Sequence, residues 1–112
     1  MKQKIAIPVV NDVLSSHFGH SQHFFVADVE NNRVVQTNTI VPPPHEPGVI
    51  PKWLNENQVD VVLVGGIGQK AINLFKQMGI EPVIGVPSMS PSWLIEEYLS
   101  GALEAGINQC NH

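Results

Sequence analysis

His17, His20 and His23 stand three residues apart in H-F-G-H-S-Q-H, His45 sits in P-P-P-H-E-P, and the chain closes on Cys110-Asn111-His112. Imidazole and thiolate are ligands for zinc, for copper, or for iron held in a sulfur cluster. H-x-x-H puts both rings on one side only where the loop is helical, so His17 and His20 act together only in that geometry. The single cysteine cannot build a four-thiolate cage. An iron–sulfur guest would be held in part by its own ligands, by histidine, or by a second subunit. Against this stands the ordinary role of a loop histidine, which is hydrogen bonding at the surface. His23 opens a strand and is expected to pack or cap. His112 is the last residue, where chains are commonly disordered.

A second feature is D-V-V-L-V-G-G-I-G-Q-K-A, residues 60–71. Its apolar, mostly β-branched run suits a strand buried on both faces. Gly65, Gly66 and Gly68 then permit a sharp turn and the close approach of a ligand or another backbone. Gly66 to Ala71 matches the loose dinucleotide fingerprint G-x-G-x-x-G/A. That fingerprint calls for an acidic residue at the end of the next strand, about 20 residues on. Glu81 falls at the start of that strand, and residues 85–88 offer none. No Gly-Lys-Ser/Thr follows, so this is not a Walker loop. The glycines read instead as a turn at a helix start, suited to an anionic or bulky guest. An exposed anion there gains ~0.3–1 kcal/mol, and more when enclosed.

Catalytic sets are thin. Asp28 and Glu30 share a strand face, but Asp60 begins its strand at the end away from the glycine turn. A metal-dependent hydrolase would need several such carboxylates converging on Mg²⁺. Ser15 and Ser16 near His17 lack an evident third, orienting group.

The elements that must position these residues follow from pattern. Residues 4–10 form a first strand, apolar almost throughout and therefore central, with Pro8 marking a bulge or the strand's end. Residues 11–22 are a polar loop holding His17 and His20. Residues 23–30 and 33–41 are the second and third strands, joined by Asn31-Asn32, which tolerate positive φ and make a tight hairpin. The third strand is more polar and reads as an edge. Residues 42–51 are a stiff loop carrying His45, excluded from regular helix by their prolines. A helix then runs to near Asn57 with Ile50, Trp53 and Leu54 inside. Residues 69–78 form the next helix, stopped by Gly79. Residues 81–86 are the fifth strand. Ser90 caps the last helix, with Pro91 at its first position. Trp93, Leu94, Tyr98 and Leu99 face inward there, and Gly101 ends it.

The expected architecture is α/β: one domain over residues 1–103, a five-stranded mixed sheet in the order β-β-β-α-β-α-β-α, with helices on both faces. Right-handed crossovers put the last two strands on one side of the first and the hairpin on the other. Residues 104–112 are expected to be a flexible tail. If the first and third strands run parallel, the loops carrying His17, His20 and His45 share an edge with the glycine turn.

A chain of 112 residues is long enough to bury roughly two-thirds of its unfolded surface. The formal net charge is −4, and its 6 Lys and Arg are scattered, which argues against a nucleic-acid surface. The amino terminus M-K-Q-K-I-A-I-P has too short an apolar run for a signal peptide, and no stretch reaches membrane length. With one cysteine, a cytoplasmic protein is the economical reading.

Taken together, these residues resemble the dinitrogenase iron–molybdenum cofactor biosynthesis proteins. The parts are I-A-I-P, S-x-H-F-G-H around His17, F-F-V-x-D, His45 before P-x-W-L, V-D-V-V-L-V-G-G-I-G-x-K-A, and M-G-I-E-P-V. The likeness runs from Ile5 to Leu103. It implies a ribonuclease-H-like sheet without that enzyme's catalytic carboxylates, and a binding and delivery protein for a metal–sulfur cofactor rather than an enzyme. His17 and His45 match the family's histidines. Gly65, Gly66 and Gly68 match its glycine turn, and Phe18 and Gly19 belong to the matching H-F-G segment. His20 falls where members often carry another residue. Cys110 as a ligand is an expectation from chemistry alone. The expected guest is an iron–sulfur or molybdenum–iron–sulfur cluster, and the expected partners are that cluster and cofactor-assembly proteins. The competing expectations are a small-anion or nucleotide module using the same turn, and a ribonuclease-H-like hydrolase.

Overall fold

The strongest turn signals in the sequence lie where the chain must reverse, and the computed structural model, which describes residues 2–16, 18, 21–44, 46 and 48–103, follows them. Strand β1 (Lys2–Val10) reverses at Asn11-Asp12 into the two-residue strand β2 (Val13–Leu14). Asn11 and Asp12 take φ of 51° and 67°. Asn31 and Asn32 take the same two angles between β3 (His23–Glu30) and β4 (Arg33–Ile40). Two successive residues at positive φ make the turn whose twist matches antiparallel strands, and Asn and Asp accept that conformation most cheaply. The second hairpin was expected. The first was not: residues 11–14 were read as part of a polar loop, so β2 makes six strands where five were expected.

The long path of the sheet is β4-β3-β1-β5-β6, with β5 at Val61–Leu63 and β6 at Glu81–Val83. β3 is antiparallel to β1 and to β4, while β1–β5 and β5–β6 are parallel. The hairpin and the two later strands thus flank β1, as right-handed crossovers require. β4 is the exposed edge. Pro8 does not break or bulge β1: its register with Phe24 is continuous with its neighbours'. The Pro8 carbonyl accepts from the Ser15 N–H at 2.8 Å, on the side away from β3. A residue's N and C=O point the same way across an extended strand, so the missing N–H faces that side too. β5 pairs only as far as Ala6, so the β1–β3 and β1–β5 ladders lose nothing. Toward Ser15, Pro8 accepts a bond but has no N–H to return one, and β2 ends at Leu14.

Three helices cover the sheet: α1 (Val49–Glu56), α2 (Gln69–Gln77) and α3 (Pro91–Ser100). Alternation along the strands divides the core in two. Ala6, Phe24, Val26, Val62 and Val64 pack with Ile50 and Leu54 of α1 and Ile72 and Phe75 of α2. Ile5, Ile7, Ala27, Val61 and Leu63 pack with Leu94 and Ile95 of α3 on the other face. Each fully buried side chain of this size contributes about 1.5–3 kcal/mol, so both layers are needed to hold the sheet.

Two expectations about the helices are corrected. Pro51 lies inside α1, in its first turn, where a helix leaves N–H groups unpaired and proline loses nothing. Trp93 faces solvent at 43% exposure. The buried stripe of α3 is Leu94 and Ile95, continued by the half-buried Tyr98 and Leu99, and Trp93 falls on the opposite side of that helical wheel. Among the described residues no helix is long and apolar enough to cross a membrane.

Candidate functional site

β1 and β4 are both antiparallel to β3, so they run the same way, and β5 and β6 run with them. The carboxyl ends of all four strands therefore meet one edge of the sheet, the usual place for a ligand in open α/β folds. The described residues of the segments that follow these strands, Ser15, Ser16, Phe18, 41–44, 64–68 and 84–90, lie at that edge.

Backbone contacts tie three of these segments together. The Phe18 N–H donates to the Gly66 carbonyl at 3.3 Å, and the Gly85 N–H donates to the Gly65 carbonyl at 3.1 Å. The 15–22 segment is fastened to β1 at both ends, by Ser15 N–H to Pro8 O and Gln22 N–H to Val9 O, each 2.8 Å. The three glycines have different roles. A Cβ on Gly65 would lie 3.3 Å from both the Leu14 Cδ2 and the Ser16 Cα, so this glycine admits close approach of the 14–16 backbone. Gly66 is buried, with its carbonyl engaged by Phe18. Gly68 faces open space, with nothing within 4 Å of where a Cβ would stand.

The same edge carries the starts of α1 and α2, two helices that pack on one face of the sheet. Their N-cap residues are Gly48 and Gly68, neither start has a capping side chain, and neither first turn holds an acidic residue. Each start carries roughly half a positive charge from its aligned peptides. Exposed Lys70 in the first turn of α2, and Lys52 just beyond that of α1, add to it. α3 also begins at this edge but on the other face, and there the Ser90 hydroxyl accepts from the Trp93 N–H at 3.4 Å. The edge of a chain whose formal net charge is −4 is thus locally suited to an anion.

Of the residues expected at the site, the structure places Gly65, Gly66, Gly68 and Phe18. His17, Gly19, His20, His45 and Cys110 lie outside the described residues, as does His112. The described residues on either side of positions 17 and 45 belong to segments at the glycine edge. The Phe18 ring is buried, and its backbone N–H is bonded to the turn. His23 is half-buried at the start of β3, opposite Val9, as a packing residue would be. Among the described residues, no three His, Cys, Asp or Glu side chains gather to hold a metal ion.

The carboxylates sit elsewhere. Asp28, Glu30 and Asp60 border a cavity of about 440 Å³ at the opposite edge of the sheet. Asp28 lies 3.8 Å from the Lys4 ammonium, and Asp60 accepts from the Lys4 backbone N–H at 2.8 Å. Two of the three are thus occupied in holding β1 to its neighbours.

The family described as dinitrogenase iron-molybdenum cofactor matches the chain over residues 1–101. The chain belongs to this family. A relative in Methanocaldococcus jannaschii, an uncharacterised protein, is 36% identical over an alignment of 106 residues that covers 90% of this chain and 89% of that one. The crystal structure of PH0822 superposes with a TM-score of 0.86 at 32% identity, covering 92% of this chain and 94% of its own. The apo form of the orange protein of Desulfovibrio gigas shares the fold, with a TM-score of 0.76 at 19% identity over 95% and 94% of the two chains. Membership gives the protein a cofactor-related role and accounts for the agreement between the resemblance seen in its motifs and the sheet order observed.

One part of the frame went unseen in the sequence: the start of α1 at Gly48, with φ of 81°. The signal was present, since a glycine directly before V-I-P-K-W-L marks where the loop yields to a helix.

Proposed function

We propose that this protein is a non-catalytic carrier that binds a metal–sulfur cluster or its precursor in the cytoplasm and delivers it to cofactor-assembly proteins. The observation that carries this reading is the joint placement of two uncapped helix starts and the open Gly68 at the edge where the Phe18 N–H is bonded to the Gly66 carbonyl of the glycine turn. His17 and His45 are the proposed ligands, with His20 and Cys110 as further donors. Neutral imidazoles would coordinate metal, while the amides of the α2 start would donate to sulfide or to an acid group of the guest.

Magnitudes favour a metal-bearing guest over a bare anion. Two helix starts supply at most about 2 kcal/mol each in a partly buried setting. Their sum is comparable to the ~4 kcal/mol of a millimolar complex. Durable carriage needs coordinate bonds in addition, and imidazole is a common donor for such bonds.

Anaerobic reconstitution of the apo-protein with an iron–sulfur or a molybdenum–sulfur cluster tests the proposal through the absorption spectrum. A stable charge-transfer band is expected, lost in the His17→Ala, His45→Ala double variant. Retention of an unchanged cluster by that variant would remove the histidines from the site. A second reading, a small-anion or nucleotide module, draws on the bare helix starts alone. Calorimetry against nucleotides with chelator present separates the two: strong chelator-insensitive binding would favour the anion module.

A further inference from the structure

Phe18 divides the histidine segment: His17 precedes it, and His20 comes two residues after. Its ring is only 8% exposed. It meets Phe75 edge-on at 5.5 Å and Phe24 at 6.0 Å, with interplanar angles of 84° and 73°. Phe75 is fully buried and belongs to α2, the helix that starts at Gly68; Phe24 is fully buried in β3. The backbone of Phe18 is engaged on both sides. Its N–H donates to the Gly66 carbonyl at 3.3 Å, and its carbonyl accepts from the Ser21 hydroxyl at 3.4 Å. One residue therefore joins the histidine segment, the glycine turn, the helix behind that turn and the neighbouring strand. Edge-to-face ring pairs are directional, so the two contacts fix the orientation of the ring as well as its depth.

We propose that Phe18 is a positioning residue. It anchors its own stretch of chain to the Gly66 turn through its backbone and to the body of α2 through its ring, and it touches no guest itself. The inference rests on the carrier reading of this edge and assigns Phe18 a different part from the contact residue its place in the H-F-G segment suggests. The physical ground is preorganisation. Donors held near their working geometry by packed neighbours lose little freedom on binding, whereas donors on slack chain must be ordered when the guest arrives.

The test compares full-length Phe18→Leu with Leu94→Ala. Leu94 is fully buried in α3 on the other face of the sheet, so its truncation weakens the fold without touching the Phe18 cluster. After anaerobic reconstitution with an iron–sulfur cluster, Phe18→Leu is expected to bind at least about tenfold more weakly than Leu94→Ala at equal folded fraction, the scale on which lost ligand support acts. Equal affinity in the two variants overturns the proposal. A second measurement needs no guest. In the apo-protein the ring-proton resonances of His17 and His20 are expected to move in Phe18→Leu and to stay in place in Leu94→Ala. Should the wild type take up no cluster, the carrier reading fails on its own, and unchanged histidine resonances in Phe18→Leu then overturn the positioning role.

Discussion

Gly65 lies directly against Ser16: a side-chain carbon on Gly65 would stand 3.3 Å from the Ser16 Cα. The same carbon would meet the Leu14 Cδ2 at 3.3 Å and the Ser15 carbonyl oxygen at 3.5 Å. Leu14 is 1% exposed, and the Ser15 N–H is bonded to Pro8, so neither neighbour can retreat freely. Gly65→Ala is expected to lower the unfolding free energy by about 1–3 kcal/mol, the usual cost of overpacking. Denaturant titration measures it, and an unchanged midpoint would mean that the 14–16 segment yields without strain.

Gly68 predicts the opposite sign. Its φ of −73° and ψ of 156° suit any residue, and its missing Cβ points into space. Neither conformation nor packing requires glycine there. A serine at this N-cap would supply an acceptor for the first turn of α2, worth a few tenths of a kcal/mol over glycine. Gly68→Ser is therefore expected to raise the thermal midpoint slightly while reducing cluster retention. Undiminished retention on reconstitution would show that no guest approaches at this point.

Gln58 takes φ of 62° just after α1, with its N–H bonded to the Asn55 carbonyl at 3.0 Å. A side chain in that left-handed conformation costs roughly 1–2 kcal/mol. Glycine removes the cost but adds freedom to the unfolded chain. The expected net gain for Gln58→Gly is about 0.5–1 kcal/mol in urea unfolding, with no change in the slope of the transition.

Tyr98 is the chain's one tyrosine, so its ionisation can be followed by ultraviolet difference absorbance. Burial, and then the Glu81 carboxylate, hold its hydroxyl above the usual value of 10.0, while a hydrogen bond with Gln3 pulls the other way. The folded protein thus keeps this proton longer than the unfolded chain does. The contribution of Tyr98 to stability is complete below pH 10 and is lost as pH rises from there through the folded value. Glu81→Gln is expected to lower the titration midpoint without returning it to the usual value, because burial remains. Gln3→Ala is expected to raise it.

Much of this architecture is readable from pattern because its elements are locally consistent. Asn31-Asn32 between two alternating runs, Gly79 after a helical run, and Ser90-Pro91 before another each name a conformation that few other residues adopt so readily. Asn11-Asp12 sends the same message, but β2 is two residues long, too short to show any period. Trp93 misleads because its hydrophobicity suggests burial, whereas the wheel position of Leu94 and Ile95 decides which side of α3 turns inward. Pro8 misleads because its missing N–H faces away from β3, so the long β1–β3 ladder runs on unbroken past it. At the site, motif and spacing indicate which segments share an edge. They do not show that Gly65 and Gly66 serve the frame while Gly68 is left open, since that division depends on what the turn packs against.

The frame of this edge is joined through peptide groups: Ser15 to Pro8, Phe18 to Gly66, Gly85 to Gly65. None of those groups titrates between acid and alkaline buffers, whereas an imidazole gains a proton near pH 6.5. Under the proposed reading, protons would therefore compete with a metal guest for its histidines and not with the bonds that shape the receptacle.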